Sequence, residues 1–559
     1  MFSWTGGLGI PSLTIDTTRE RAPPPPATPL DFPNYPRADS VSSEPLTEES
    51  CNKLYQLLSK LRRPQDVNES YLQALNIRVE TDVKLPDIVP GGKLASLPPY
   101  QWPEGLEDQD SSAGGSAVLS NGFPIPKQEK YDLLRQEVLF DNDDAFRAVS
   151  RMDPLPGRPR IRVTHSRRFW AGLEHLAQYW DSSLDKYIEK PADESSSEGE
   201  KDEKNQDKMD VDEAHQASNN SCKDYSSEKM DVDGEPKNED ERGKPPKTKQ
   251  VYLGRRIGTG KDMPESVRED TLRGLLEMVA WSFGCQLHIP NLPPRLFVKG
   301  LLFPVRHSFS ICRSPQDRQE ARRGMMEGPL ILVQCRGETS FHDKETGAVD
   351  KSAEICDILR ETVGMLLLAQ ERARQDETEV KPGEGKWWAT EPRWGGAPND
   401  GPVVEPEVGD RTDSSGKGAG GNEEADRSAK RSRHSRRFLS QRKLSTVERW
   451  KIVQPGPSTW DKKLKYMRIG KDEDSPFDDI FMVSSLNHHF AVLHLRVHPS
   501  YLSWLATGKP QSVEASDTSG QPWHSLIVRR TRWFDLLKPE DRAEGLEGLW
   551  ALFSWLMRS

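Results

Sequence analysis

The chain has 559 residues, of which 34 % are hydrophobic and 30 % charged, and its formal charge is −10. With 43 Pro and 41 Gly, it is too polar for one uninterrupted packed body, and folded blocks should alternate with segments unable to offset the entropy of ordering. No run approaches about eighteen apolar residues, which excludes an expected membrane span, and MFSWTGGLGIPSLTID lacks the basic and apolar regions of a secretory leader.

In chain order, residues 1–48 form a Pro- and Ser-rich tail expected to be disordered. Residues 49–125 carry a short helix, with Leu54, Leu57, Leu58 and Leu61 at helical spacing before Pro64, followed by loop. Residues 126–190 read as the helical part of a core. One helix is expected over 131–149, and another starts at Ser166 with Phe169, Leu173, Leu176 and Trp180 along one face. Residues 191–249 form an acidic insert expected to be disordered. It repeats Met-Asp-Val-Asp at 209 and 230, a unit too short for a solenoid.

Residues 250–395 are the best-patterned block, an α/β core. Pro264-Glu265 opens a helix striped by Leu272, Leu275, Leu276, Val279 and Phe283, and strands are expected at 295–303, 307–312 and 330–335. A long helix over 352–374 turns Ile355, Ile358, Leu359, Val363 and Leu366 inward. Residues 396–445 are a second disordered insert. Residues 446–559 return to the core, with strands at 480–486 and 490–497 and a final helix bearing Leu546, Leu549, Trp550, Phe553 and Met557. The fold class is therefore mixed α/β or α+β: one folded body, with a central mixed sheet and flanking helices, interrupted by two long disordered inserts. Six Cys without a CxxC pair suit reduced, buried thiols at Cys285, Cys312, Cys335 and Cys356.

The second insert carries the strongest functional signal. Lys430, Arg431, Arg433, Arg436, Arg437, Arg442 and Lys443 fall within fourteen residues of an acidic chain. A block of like charge stays solvated and available to an acidic partner, so it reads as a nuclear-import signal or a phosphate-binding patch; both point to the nucleus, the first with an import receptor as partner. Ser440 and Ser445 stand in basophilic-kinase contexts, where phosphate would cancel part of that charge.

Catalytic patterns are incomplete. Around Gly260-Lys261-Asp262 the P-loop spacing fails and Asp262 replaces the hydroxyl residue, so a surface turn is expected. In the run from His488 and His489 through His494 to His498, the residues between alternate as on a strand. That puts His494 and His498 about 13 Å apart, too far to share an ion. No His-x-Glu with Pro-Cys-x-x-Cys marks a zinc deaminase, and no Gly-x-Ser-x-Gly elbow lies between strand and helix. No catalytic residue, metal ligand set or cofactor is assigned, and the balance leans away from an enzyme.

Gly328 to Glu338 deserves a separate reading. Its setting, a helix, three strands, a helix and a further strand, resembles the restriction-endonuclease-like family. That resemblance implies an acid on the second strand and Glu-x-Lys on the third, yet the matching positions hold Gln334-x-Arg336. Without two carboxylates a divalent ion would lack hard oxygen ligands, so binding is expected over cleavage. Nucleic-acid contact falls to Arg336 and to the aromatic, basic loop of Lys386, Trp387, Trp388, Arg393 and Trp394, which could equally pack on the body.

EGPLILVQCRGETSF at 327–341 and GKWWATEPRWGG at 385–396, with the basic cluster, resemble a family from filamentous ascomycetes, the hypoxia-responsive morphology factors. The resemblance implies a nuclear regulator of gene expression, colony morphology, virulence and low-oxygen growth, with a core distantly like RNA deaminases. The leading expectation is thus a nuclear regulatory or scaffold protein, with nucleic acid or chromatin proteins as further partners. The alternatives are a nucleic-acid-binding protein with a degenerate nuclease-like or deaminase-like core, and a cytoplasmic interaction protein.

Overall fold

The computed structural model describes residues 15–17, 19–35, 45–90, 96–98, 118–191, 248–289, 294–343, 346–375, 463–510 and 522–558. Near the start, α1 (Glu48–Lys60) opens on a Thr47–Ser50 capping box, followed by α2 (Glu69–Ala74), β1 (Ile77–Glu80) and α3 (Leu85–Ile88). The helix expected over 131–149 is two helices, α4 (Gln128–Val138) and α5 (Asn142–Val149). The break comes where Asp141 accepts the N–H groups of Asp143 and Asp144 and starts a new helix. Then comes α6 (Arg167–Trp180).

Two compact units follow from the chain's contacts, residues 15–25 with 182–255 and the remainder. In the smaller unit β2 (Lys186–Pro191) pairs antiparallel with β3 (Thr248–Leu253), so Pro191 faces Thr248 where the acidic insert leaves and returns. Arg21 exchanges backbone hydrogen bonds with Tyr252, and the Tyr252 hydroxyl donates to Asp185 at 2.6 Å.

The larger unit continues with α7 (Glu265–Ala280), β4 (Cys285–His288), β5 (Arg295–Val298), β6 (Leu301–Pro304), β7 (Phe309–Arg313), α8 (Arg318–Arg322) and β8 (Met326–Arg336). Beyond lie α9 (Lys351–Arg372), β9 (Leu464–Tyr466), β10 (Asp478–Leu486) and β11 (His489–Val497). Last come α10 (Pro499–Thr507), β12 (Leu526–Arg530), β13 (Phe534–Asp535) and α11 (Pro539–Leu556). The main sheet runs β1-β12-β11-β10-β8-β7-β4, with β13 on β11 and β9 on β8. β8 is parallel to β10 and antiparallel to β7, and β1 is parallel to β12. This is a mixed α/β fold.

The stretch expected as one strand at 295–303 is instead a separate hairpin, β5–β6, turning at Lys299 and Gly300, which both have positive φ. Its place beside β7 is taken by β4, four residues that the sequence pattern is too short to mark. With β4 in place, α7, the antiparallel run β4, β7, β8, then α9 and parallel β10 follow in order.

Period-two alternation divides the core. Ile331 and Val333 of β8 face α6, α7 and α11 with Phe169, Leu272 and Trp550, whereas Leu332 faces α9 with Ile358 and Leu366. Helices α6 and α7 meet at Gly172 and Gly274. A Cβ on Gly274 would lie 2.7 Å from the Phe169 Cα, so only glycine admits this crossing. Cys51, Cys285, Cys312, Cys335 and Cys356 are buried free thiols.

Candidate functional site

Strand β8 carries ten consecutive buried residues and ends in Arg336, which places a guanidinium under the sheet's α9 face. A buried charge is tolerated only where partners replace its hydration. On α9, Asp357 and Glu361 are four residues apart and so share one helix face. Arg336 donates to Asp357, to Glu361 Oε1 at 2.9 Å and to Ser484 Oγ of β10 at 2.5 Å. The Ser484 hydroxyl donates in turn to Glu361 at 2.5 Å.

A second guanidinium closes the group. Arg530 of β12 donates to Glu361 Oε2 at 3.0 Å and to the Tyr35 hydroxyl, which itself donates to Asp357 Oδ2 at 2.6 Å. Arg530 also stacks 3.9 Å from the Trp533 ring centroid. Two positive and two negative groups thus sit in one lattice, with Glu361 fully buried. Burial opposes the Arg336 charge, but Asp357 and Glu361 outweigh it and hold the proton more firmly than in water. Burial pushes the Tyr35 hydroxyl up, keeping it a donor, and also raises the Asp357 carboxyl against the pull of Arg336.

Beside the lattice, at the carboxyl end of β8, lies a cleft of about 410 Å³ whose lining includes Arg306, His307, Gln334, Cys335, Glu338 and Arg360. Its rim charges are paired, Arg360 with Glu338 and Arg306 with Glu265. Burial and His288 lower His307 to about 3, which leaves it neutral. Burial, only partly offset by a hydrogen bond from Ser308, pushes the Cys335 thiol up to about 12 and makes it a poor nucleophile. Burial also raises Glu269 on α7 despite its bond with Ser308. Gln334 donates from Nε2 to the Arg306 carbonyl at 2.9 Å, while its buried Oε1 has no hydrogen-bond partner. The cleft can therefore hydrogen-bond a polar group, but it presents neither a paired set of free carboxylates nor an activated nucleophile.

Of the residues singled out for nucleic-acid contact, Arg336 is only 5 % exposed and engaged by two carboxylates. Reaching a phosphate would mean leaving them. Lys386, Trp387, Trp388, Arg393 and Trp394 lie outside the described residues, as do Lys430, Arg431, Arg433, Arg436, Arg437, Arg442, Lys443, Ser440 and Ser445. At the abandoned P-loop, Gly260 begins a tight turn packed on the Trp180 ring, and Asp262 caps it by accepting from Thr259 Oγ1 at 2.7 Å. His494 binds Asp479 at 2.7 Å and His498 caps α10, so each has its own structural partner.

Sequence reasoning missed Tyr35, Asp357, Glu361, Ser484 and Arg530. The four-residue spacing of Asp357 and Glu361, interleaved with the apolar stripe of Ile355, Ile358 and Leu359, was the available signal. No family model, curated protein or solved structure matches the chain.

Proposed function

We propose that this chain is a nuclear regulatory or scaffold protein that acts by binding. The observation that carries the binding role is the commitment of Asp357 and Glu361 to Arg336 and Arg530, with Glu338 paired to Arg360. Carboxylates neutralised by guanidinium groups are poor ligands for a catalytic divalent ion. The nuclear part rests on the basic cluster between Lys430 and Lys443, which would engage an import receptor. A role in gene expression, morphology and low-oxygen growth follows from the resemblance to the hypoxia-responsive morphology factors.

The test is the distribution of a tagged full chain before and after changing Lys430, Arg431, Arg436, Arg437, Arg442 and Lys443 to Ala. Nuclear accumulation lost on substitution supports the reading, whereas the same cytoplasmic distribution for both forms ends it.

One observation favours a second reading, a nucleic-acid-binding protein on a degenerate restriction-endonuclease-like core. The order α7, β4, β7, β8, α9, β10 is the one that resemblance calls for. Such a protein would bind DNA or RNA with affinity falling steeply as salt rises. Absence of binding at both low and high salt would remove it.

A further inference from the structure

We propose that His488, His489 and Asp535 form a binding site for a divalent transition-metal ion, with zinc the best match to the ligand types. His488 lies in the two-residue turn between β10 and β11, which Asn487 enters at φ 54°. His489 begins β11 and is the direct cross-strand partner of Asp535 in β13. The Leu536 N–H donates to the His488 carbonyl at 2.9 Å, so backbone pairing on both sides of the turn sets the three side chains together.

One ligand atom from each residue lies within 4.8 Å of the others. His488 Nε2 is 3.9 Å from Asp535 Oδ1, and His489 Nε2 is 3.7 Å from Oδ2. These separations are too long for hydrogen bonds. They fall within the span available to two ligands each about 2.1 Å from a shared ion.

A second observation points to a missing partner. Among the described residues neither imidazole makes a ring hydrogen bond: each Nε2 faces the Asp535 carboxylate from beyond hydrogen-bond reach, and the other ring nitrogen, Nδ1, is buried without a partner. His488 is only 9 % exposed and Asp535 8 %. Buried polar groups are ordinarily satisfied, so two uncommitted imidazoles beside a carboxylate need explaining.

The carboxylate is already aimed. Leu537 N–H donates to Asp535 Oδ1 at 2.9 Å, and the Lys538 ammonium lies 3.5 Å from Oδ2. Lys538 is largely exposed and can withdraw into solvent when an ion arrives. The Trp180 ring lies 4.7 Å from His488, and Phe32 meets His489 edge-on at 4.8 Å. Two His and one Asp leave the fourth position of a tetrahedral ion open to water or a ligand.

The experiment uses the full-length protein, stripped with chelator and titrated separately with Zn²⁺ and Co²⁺. One equivalent should be retained after dialysis, with the intense visible absorption of tetrahedral cobalt. His489→Ala and Asp535→Asn should each weaken retention at least about tenfold, and His342→Ala, remote in sequence and paired with Asp31, should not. Near-UV circular dichroism checks that each variant is folded. Equal retention by wild type and both folded variants overturns the site, as does a wild type that retains no stoichiometric ion.

Discussion

The end of β8 and the turn between β10 and β11 both gather titratable groups into the interior, yet they differ in how those groups are used. Around Arg336, donors and acceptors meet at hydrogen-bond distance, and charge balances between Arg336, Arg530, Asp357 and Glu361. Around His488, the two imidazole Nε2 atoms stand 3.9 and 3.7 Å from the Asp535 carboxylate, and among the described residues neither ring makes a hydrogen bond. The first arrangement stabilises a packed body; the second waits for a ligand. Burial alone does not mark a functional group: the lattice carboxylates are held at hydrogen-bond distance although Arg336 Nε, Arg530 Nε and Arg530 Nη2 lack partners, whereas among the described residues no hydrogen bond holds either imidazole ring.

The sharpest way to break this contrast is to damage the lattice. Glu361→Gln leaves two guanidinium groups short of a buried partner and should cost about 3–5 kcal/mol, read from urea unfolding. Arg372→Met should cost a similar amount. Arg372 is fully buried and holds both oxygens of Asp478, at 2.9 and 2.8 Å, with no share in the cleft. A much smaller loss for Arg372 would show that pairing of a buried guanidinium with a carboxylate is not what makes the lattice costly to disturb. His494→Leu removes the 2.7 Å partner of Asp479, leaving Arg496 at 3.6 Å, and should cost about 1–3 kcal/mol.

His489→Ala, by contrast, should cost less than Glu361→Gln in metal-free buffer, because among the described residues it loses packing against Phe32 but no ring hydrogen bond. With zinc at about a hundred times its dissociation constant, wild type should gain about 2.7 kcal/mol and the variant little.

A further satisfied acid supplies a pH test. Burial pushes Glu137 up from its ordinary 4.5, but hydrogen bonds from the Ser166 and Thr164 hydroxyls and backbone N–H groups outweigh it and hold it at about 2. Its folded value is depressed, so its contribution is complete above the ordinary value and lost as pH falls through about 2. Glu137→Gln should flatten that part of the acid unfolding profile. An unchanged profile would contradict the assignment.

Much of this architecture was legible in the sequence because its strands and helices are long and strongly patterned. The run 330–335 and the alternation at 490–497 both mark strands in the sheet, and the stripe of Ile355, Ile358 and Leu359 marks α9. The candidate site was less legible, because its parts meet only in three dimensions. Tyr35 belongs to a Pro-rich stretch that composition assigns to a disordered tail, yet it is buried against Asp357. Arg530 ends a five-residue strand whose register with β1 joins residues 449 positions apart, Ile77 and Leu526. Nor could strand alternation reveal that His488 and His489 would meet Asp535, since that meeting depends on β13, two residues long.

The central claim is that the charges at the end of β8 are spent on the fold and leave none for chemistry. A double-mutant cycle of Arg336→Met and Glu361→Gln, followed by urea unfolding of the full chain, measures this most directly. The account predicts that each single change costs about 3–5 kcal/mol and that the double costs less than their sum by about 0.5–3 kcal/mol. Strictly additive losses, or an Arg336→Met chain as stable as wild type, would contradict it and return Arg336 to the role of a residue held ready for a ligand.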